Sequence, residues 1–282
     1  MDFKTFLLES SDKPELDEPS YKKVITEQEA IKLIKSHCKS VDPEHPLYRG
    51  MKAYGRSQEF LSMEGQKGSR KSSETSNHYT LIIDHFLKKY YRGTPLRGAS
   101  LICTNDKNYA GNYGKTYVLF PYDDVEIGKC DEEDIWGYRV SIGDGSVSAK
   151  IADVNDYLAE VIDNPKSYQD IVNGLAKFLE DEENEKSSSR MAKDIYAAFK
   201  GDWINRGLDE EEEWSESDKK DVVEGALEGA YSPDSNFNME FGTYKELEID
   251  ELDSHHEFWF GGKCVAIEYS RYKELLSEGV FE

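Results

Sequence analysis

Cysteine is scarce in this chain of 282 residues, and the four present, Cys38, Cys103, Cys130 and Cys264, are widely spaced. They form no Cys-x-x-Cys pair and none of the His/Cys spacings of a zinc module, which argues against a structural metal and for a reducing compartment. Long apolar runs are missing too. The stretch Met1 to Glu9 is acidic and has neither the layout of a secretory signal nor the length of a membrane span, so a cytoplasmic location is expected. Basic residues are the minority, 35 against 57 acidic ones, and the formal net charge of −22 opposes broad binding to nucleic acid or anionic membrane. Acidity alone, without a phosphate-like repeat, is weak support for a nucleic-acid mimic.

Helical and strand patterns alternate along the chain. Ser10 to Ser20 is rich in Ser, Asp, Glu and Pro and reads as a solvated arm. Thr26 to Glu29 forms a capping box ahead of Ala30, Ile31, Leu33, Ile34 and Cys38 at helical spacing. Leu47 to Met51 is a short strand between Pro46 and the polar stretch Gly55 to Ser76, which reads as one long loop carrying Arg56, Lys67, Arg70 and Lys71. Tyr79 to Tyr91 places Tyr79, Ile82, Ile83, Phe86, Leu87 and Tyr90 on one helical face; the adjacent Asp84 and His85 point in different directions and serve as surface or capping groups. A strand over Ala99 to Cys103, a short helix over Asp106 to Gly114 and a strand over Thr116 to Phe120 follow.

The middle of the chain is helical in period, over Ile151 to Asp163, Tyr168 to Leu179, Met191 to Ile204 and Ser217 to Tyr231. Acidic runs at Asp181 to Glu183 and Asp209 to Glu213 read as solvated connections. The β pattern returns with Glu257 to Phe260, then Gly261-Gly262, then Cys264 to Tyr269, which predicts a hairpin closed by a glycine turn.

Three segments at strand ends carry polar residues that a purely structural strand does not need. They are Leu47-Tyr48-Arg49-Gly50, then Ser100 to Thr104 with the following Asn108 to Gly114, and His255-His256-Glu257-Phe258. Arg49 offers a planar cationic fork suited to a pyrophosphate or ribose, and Gly50 lets backbone come close to a ligand. A carboxylate such as Glu257 can hold sugar hydroxyls and stabilise the positive charge of an oxocarbenium-like state.

In that order the three segments resemble the distributed motifs of the ADP-ribosyltransferase superfamily. There an Arg or His followed by Gly ends the first strand, a Ser/Thr-containing strand precedes a short helix, and a Glu begins a late strand. The resemblance implies an α+β fold with a split β-sheet core over 21–141 and 241–282, a large mainly helical insertion over 142–240, and a flexible acidic arm over 1–20. It implies NAD as substrate, no metal, and transfer of ADP-ribose to a protein acceptor. Glu257 and Arg49 would be the principal catalytic and NAD-binding residues. Ser100 or Thr104 would hydrogen-bond Arg49, Glu257 or the ribose, and Tyr109 or Tyr113 would stack on nicotinamide; Arg97 would be a lesser phosphate contact. Two departures stand out: Cys103-Thr104-Asn105 replaces the family's Ser-Thr-Ser run, and His255 stands where arginine-modifying members carry a second Glu or Gln. By the period-two rule His255 shares a face with Glu257, as a base or a holder of the target.

Thr75 to Tyr79, Asp134 to Trp136 and the opening Met1 to Leu7 resemble segments of bacteriophage-encoded proteins. They imply a host protein as acceptor or, alternatively, a non-catalytic virion or host-interaction protein that retains the transferase fold.

Overall fold

The computed structural model describes residues 20–51, 58–65, 77–130, 135–143, 145–180, 189–205, 215–232, 239–249, 252 and 254–281. The expected arm up to residue 19, the basic residues Arg56, Lys67, Arg70 and Lys71, and both acidic runs lie outside them. The described part is α+β, with a large antiparallel sheet and helices packed on it. Among the described residues no helix is long and apolar enough to cross a membrane.

The first half of the chain supplies most of the sheet. Strand β1 (Ser20–Val24) leads to helix α1 (Glu27–His37), then β2 (Leu47–Met51), β3 (Phe60–Gly65) and helix α2 (His78–Tyr90). A 3-10 turn over Arg97–Ala99 enters β4 (Leu101–Thr104), followed by the short helix α3 (Lys107–Gly111), β5 (Lys115–Pro121) and β6 (Ile127–Cys130). The capping box forms as expected, with Thr26 Oγ1 accepting from Glu29 N and the Glu29 carboxylate accepting from Thr26 N at 2.8 Å. The expected loop over 55–76 is interrupted by β3, which pairs with β1 and β11 (Lys263–Glu268). Phe60, Leu61 and Met63 are buried there, and three apolar residues in a polar context are enough for a strand that neighbours hold on both sides.

The middle of the chain forms a second layer. After the hairpin β7 (Arg139–Ile142) and β8 (Val147–Lys150) come α4 (Ile151–Val161), α5 (Tyr168–Glu180), α6 (Arg190–Asn205) and α7 (Glu216–Tyr231). Each helix buries one stripe; in α5 these are Ile171, Val172, Leu175 and Leu179, each worth roughly 1.5–3 kcal/mol when withdrawn from water. The stripes share a core with α2 and with Trp259 of the main sheet, so the helical layer is continuous with the sheet packing. The boundaries expected at 141/142 and 240/241 fall inside strands, since β7 ends at Ile142 and β9 (Met239–Gly242) pairs with β6.

The main sheet runs in the order β1-β3-β11-β5-β2-β4-β10-β6-β9, with β10 spanning Glu257–Phe260. Between β2 and β4 the ladder is a single residue pair, Tyr48 opposite Thr104, the shortest pairing in the sheet. Core residues from both sides of this junction, including Leu47, Leu119, Leu101, Phe258 and Phe260, pack together.

The expected Gly-Gly hairpin does not form. β10 pairs with β4 and β6, whereas β11 pairs with β3 and β5, so the two-residue link sends the chain from one half of the sheet to the other. Neither Gly261 nor Gly262 has the positive φ of a primed turn. What they supply is room: a Cβ added to Gly65 would lie 2.7 Å from Gly261 Cα, and one added to Gly262 would lie 2.4 Å from Val125. Helix α8 (Tyr269–Ser277) then closes the described chain against β5 and β11.

Where α2 meets α4, His78 is buried and its Nε2–H donates to the Ile162 carbonyl at 2.8 Å. Burial holds its pKa below the ordinary histidine value, against the pull of that carbonyl and of Asp163. The fold therefore favours the neutral ring. The stability this contributes is present above the unfolded pKa of about 6.5 and is lost as pH falls below it towards the folded value. Thermal melts at about pH 7.5 and about pH 5.5 should show a larger acid-induced loss in the wild type than in His78→Gln. The difference between the proteins isolates His78 from the other titrating groups.

Candidate functional site

The three motif segments, far apart in sequence, occupy neighbouring strands β2, β4 and β10. Thr104 stands directly opposite Tyr48 on one side and Glu257 on the other. Arg49 is one residue beyond Tyr48, so it leaves the face opposite to that of Tyr48, Thr104 and Glu257, and its guanidinium donates to the Ile102 carbonyl; strand adjacency does not put Arg49 and Glu257 on one face. Thr104 Oγ1 accepts from Asp106 N at 3.0 Å, closing the turn into α3.

Glu257 is neither a solvent-facing strand-edge group nor an open carboxylate. It begins a central strand, and its side chain is only 7% exposed and faces Arg97, whose side chain is 4% exposed. The contact is bidentate, Arg97 Nε to Oε1 at 2.7 Å and Nη2 to Oε2 at 3.1 Å, while Nη1 donates to the Tyr79 hydroxyl. Burial alone would lower the Arg97 pKa, but the Glu257 carboxylate and Tyr79 outweigh it and leave the guanidinium well above its ordinary value. The guanidinium also lies 5.0 Å from the Tyr79 ring, which is 4.0 Å from that of Trp136.

The turn that presents Arg97 is clamped from several directions. Gly98 N donates to both oxygens of the Asp84 carboxylate, at 3.1 and 3.2 Å, and a Cβ at Gly98 would stand 2.4 Å from Asp84 Oδ2. Asp84 thus anchors a backbone turn, a half-buried capping role, and partial desolvation raises its pKa against the Gly98 N–H and nearby cations. His85 points elsewhere and stacks on Tyr168 with centroids 3.7 Å apart. Ser100 Oγ donates to the Leu96 carbonyl at 2.7 Å, and Trp259 Nε1 donates to the Pro95 carbonyl at 2.9 Å. Ser100 therefore braces the Arg97 turn, and lies about 13 Å along the strand from Thr104 at roughly 3.3 Å per residue.

Other sequence expectations change in detail. The close approach at Gly50 is taken up by the chain itself, since a Cβ there would meet the Ala110 carbonyl at 2.0 Å and Tyr113 Cβ at 2.8 Å. Tyr113 lies beside Gly50, is half exposed, and its hydroxyl donates to that of the partly buried Tyr109 at 3.1 Å. His255 precedes β10 and does not continue its alternation: it is exposed, with Nδ1 3.5 Å from Asp106 Oδ2, while Glu257 is buried. Asn105, a departure from the motif, clamps the approach to Glu257, donating through Nδ2 to the Ser254 carbonyl and accepting from His256 N through Oδ1, both at 2.8 Å. A single serine hydroxyl cannot span both partners in this way.

An Arg near a turn is too common a feature for the sequence to single out Arg97, and nothing local marks its counter-ion, which lies 160 residues away. A cleft of about 680 Å³ opens at the other end of β10, beside Gly261, Gly262, His37 and Tyr122, and its lining includes none of Arg49, Thr104 and Glu257. No protein-family model, curated protein or solved structure matches the chain.

Removing one member of a buried ion pair strands the other charge, at a typical cost of about 3–5 kcal/mol. Arg97→Ala should lower the denaturant midpoint accordingly. The double variant Arg97→Met/Glu257→Leu, which removes both charges and refills the space, should be closer to wild type than either single change. A double variant as unstable as the sum of the singles would mean that the pairing carries no coupling.

Proposed function

We propose that this protein is an NAD-dependent mono-ADP-ribosyltransferase that cleaves the nicotinamide–ribose bond and passes ADP-ribose to a protein acceptor, a host protein if the chain is phage-encoded. The observation that carries this reading is the adjacency of β2, β4 and β10, with Thr104 opposite Glu257 beside the one-pair β2–β4 ladder. Chain order does not require those strands to be neighbours, and a split α+β core is what the motif resemblance implies. In this reading Glu257 orients the ribose hydroxyls and stabilises the positive charge that develops as the bond to nicotinamide breaks and its electron pair leaves with the base. Tyr109 or Tyr113 stacks on the nicotinamide, Arg97 holds Glu257 ionised and fixed in direction, and Arg49, which leaves the other face of β2, reaches the pyrophosphate only by turning across the β2–β4 junction.

A second reading has its own observation. Both oxygens of Glu257 are engaged by Arg97 beneath the surface, which suits a structural ion pair in a non-catalytic virion or host-interaction protein that keeps the fold.

Incubation with labelled NAD and host lysate should label protein acceptors in the first case. Glu257→Gln should reduce labelling at least about 100-fold, the scale of losing a preorganised electrostatic group. Because that change also takes away the counter-ion of Arg97, cooperative melting must be checked alongside, and Arg49→Lys, which loses the planar fork, serves as a second variant. Equal labelling by wild type and Glu257→Gln would sink the role of Glu257. Absence of both labelling and NAD-dependent stabilisation in a thermal melt would select the non-catalytic reading.

A further inference from the structure

Beside Glu257, on the segment that Asn105 clamps, Ser254 Oγ lies 2.8 Å from His256 Nε2, and His256 Nδ1 lies 3.0 Å from the Cys130 carbonyl. A carbonyl oxygen can only accept, so Nδ1 carries the proton; in the neutral ring Nε2 is then the acceptor, and the Ser254 hydroxyl donates to it. His256 is buried, at 7% exposure, whereas Ser254 is exposed. Nucleophile, base and orienting acceptor thus stand in sequence, and Asn105 fixes the backbone of both side chains.

We propose that Ser254 is a base-activated nucleophile that takes the acyl group of an uncharged or cationic carboxylic ester, an activity separate from the NAD reading. Ser254 Oγ would attack the ester carbonyl carbon while its proton passes to His256 Nε2. The bond from the acyl carbon to the leaving alkoxide then breaks with its electron pair, the alkoxide recovers the proton from His256, and the acyl group remains on Ser254. Local charge selects this class of ester: the Asp106 carboxylate stands next to the segment, against His255, and disfavours an anionic group beside Ser254.

The probe is an uncharged fluorophosphonate, which phosphonylates an activated serine with loss of fluoride, followed by peptide mapping; p-nitrophenyl acetate reports acyl transfer. A single adduct on Ser254, absent in Ser254→Ala and formed at least about tenfold more slowly in His256→Gln, is the expected result. Because His256→Gln removes buried hydrogen bonds, a second measurement uses Ser254→Cys. Cys38, Cys103, Cys130 and Cys264 are all buried, so the new thiol is readily distinguished, and its alkylation by iodoacetamide should exceed that of a free cysteine peptide at neutral pH. No adduct on Ser254, an adduct rate indifferent to His256 in a folded variant, or a Ser254→Cys thiol no more reactive than the peptide would each overturn the proposal.

Discussion

A charged pair withdrawn from water organises this protein. Arg97 and Glu257 come from a 3-10 turn and from a central strand, and neither can be buried alone without a large desolvation cost. Satisfying them requires Tyr79 from α2 at the third guanidinium nitrogen and Trp136 against the Tyr79 ring. It also requires the Asp84 clamp on Gly98 and the Trp259 clamp on Pro95 to aim the turn. Sheet, turn and helical layer are therefore joined by one set of directional contacts, alongside the hydrophobic stripes of α4 to α7 that pack in the same core as α2 and Trp259.

The short β2–β4 ladder is the second constraint. β10 and β11 lie on either side of it, with β5, β2 and β4 between them in the sheet order, yet only Gly261 and Gly262 separate them in the chain, so their adjoining ends must lie close together. Glycines at the crossing accommodate backbone contacts that a methyl group would obstruct, at Gly65 against Gly261 and at Gly262 against Val125. The same geometry brings Arg49, Thr104 and Glu257 onto neighbouring strands while setting Ser100 at the far end of β4. It leaves Ser254, His255 and His256 on the approach to β10, where polar side chains meet both solvent and buried carbonyls.

Much of the local structure was legible from periodicity. The helices α1, α2 and α4 to α7 follow from apolar residues at 3.6-residue spacing, and α1 is announced by Thr26 and Glu29. The strands around Arg49, Thr104 and Glu257 were readable because Pro, Gly and apolar runs bound them. β3 was hidden because its flanks are polar and its alternation is weak. The Gly-Gly link has the sequence of a hairpin turn because close approach and positive φ both select glycine, and only the strand partners tell them apart.

By itself, the sequence determined the α+β character, the helical middle and the residue types able to bind an anionic ligand or stabilise positive charge. These depend on spacing and composition over windows of a few turns. The tertiary structure alone decided that Glu257 is held by Arg97, that Gly50 accommodates α3, that Asn105 secures Ser254 and His256, and that Ser100 belongs to a turn. Those outcomes depend on burial and on partners distant in sequence, and a charge acquires its counter-ion only when the chain has closed around it.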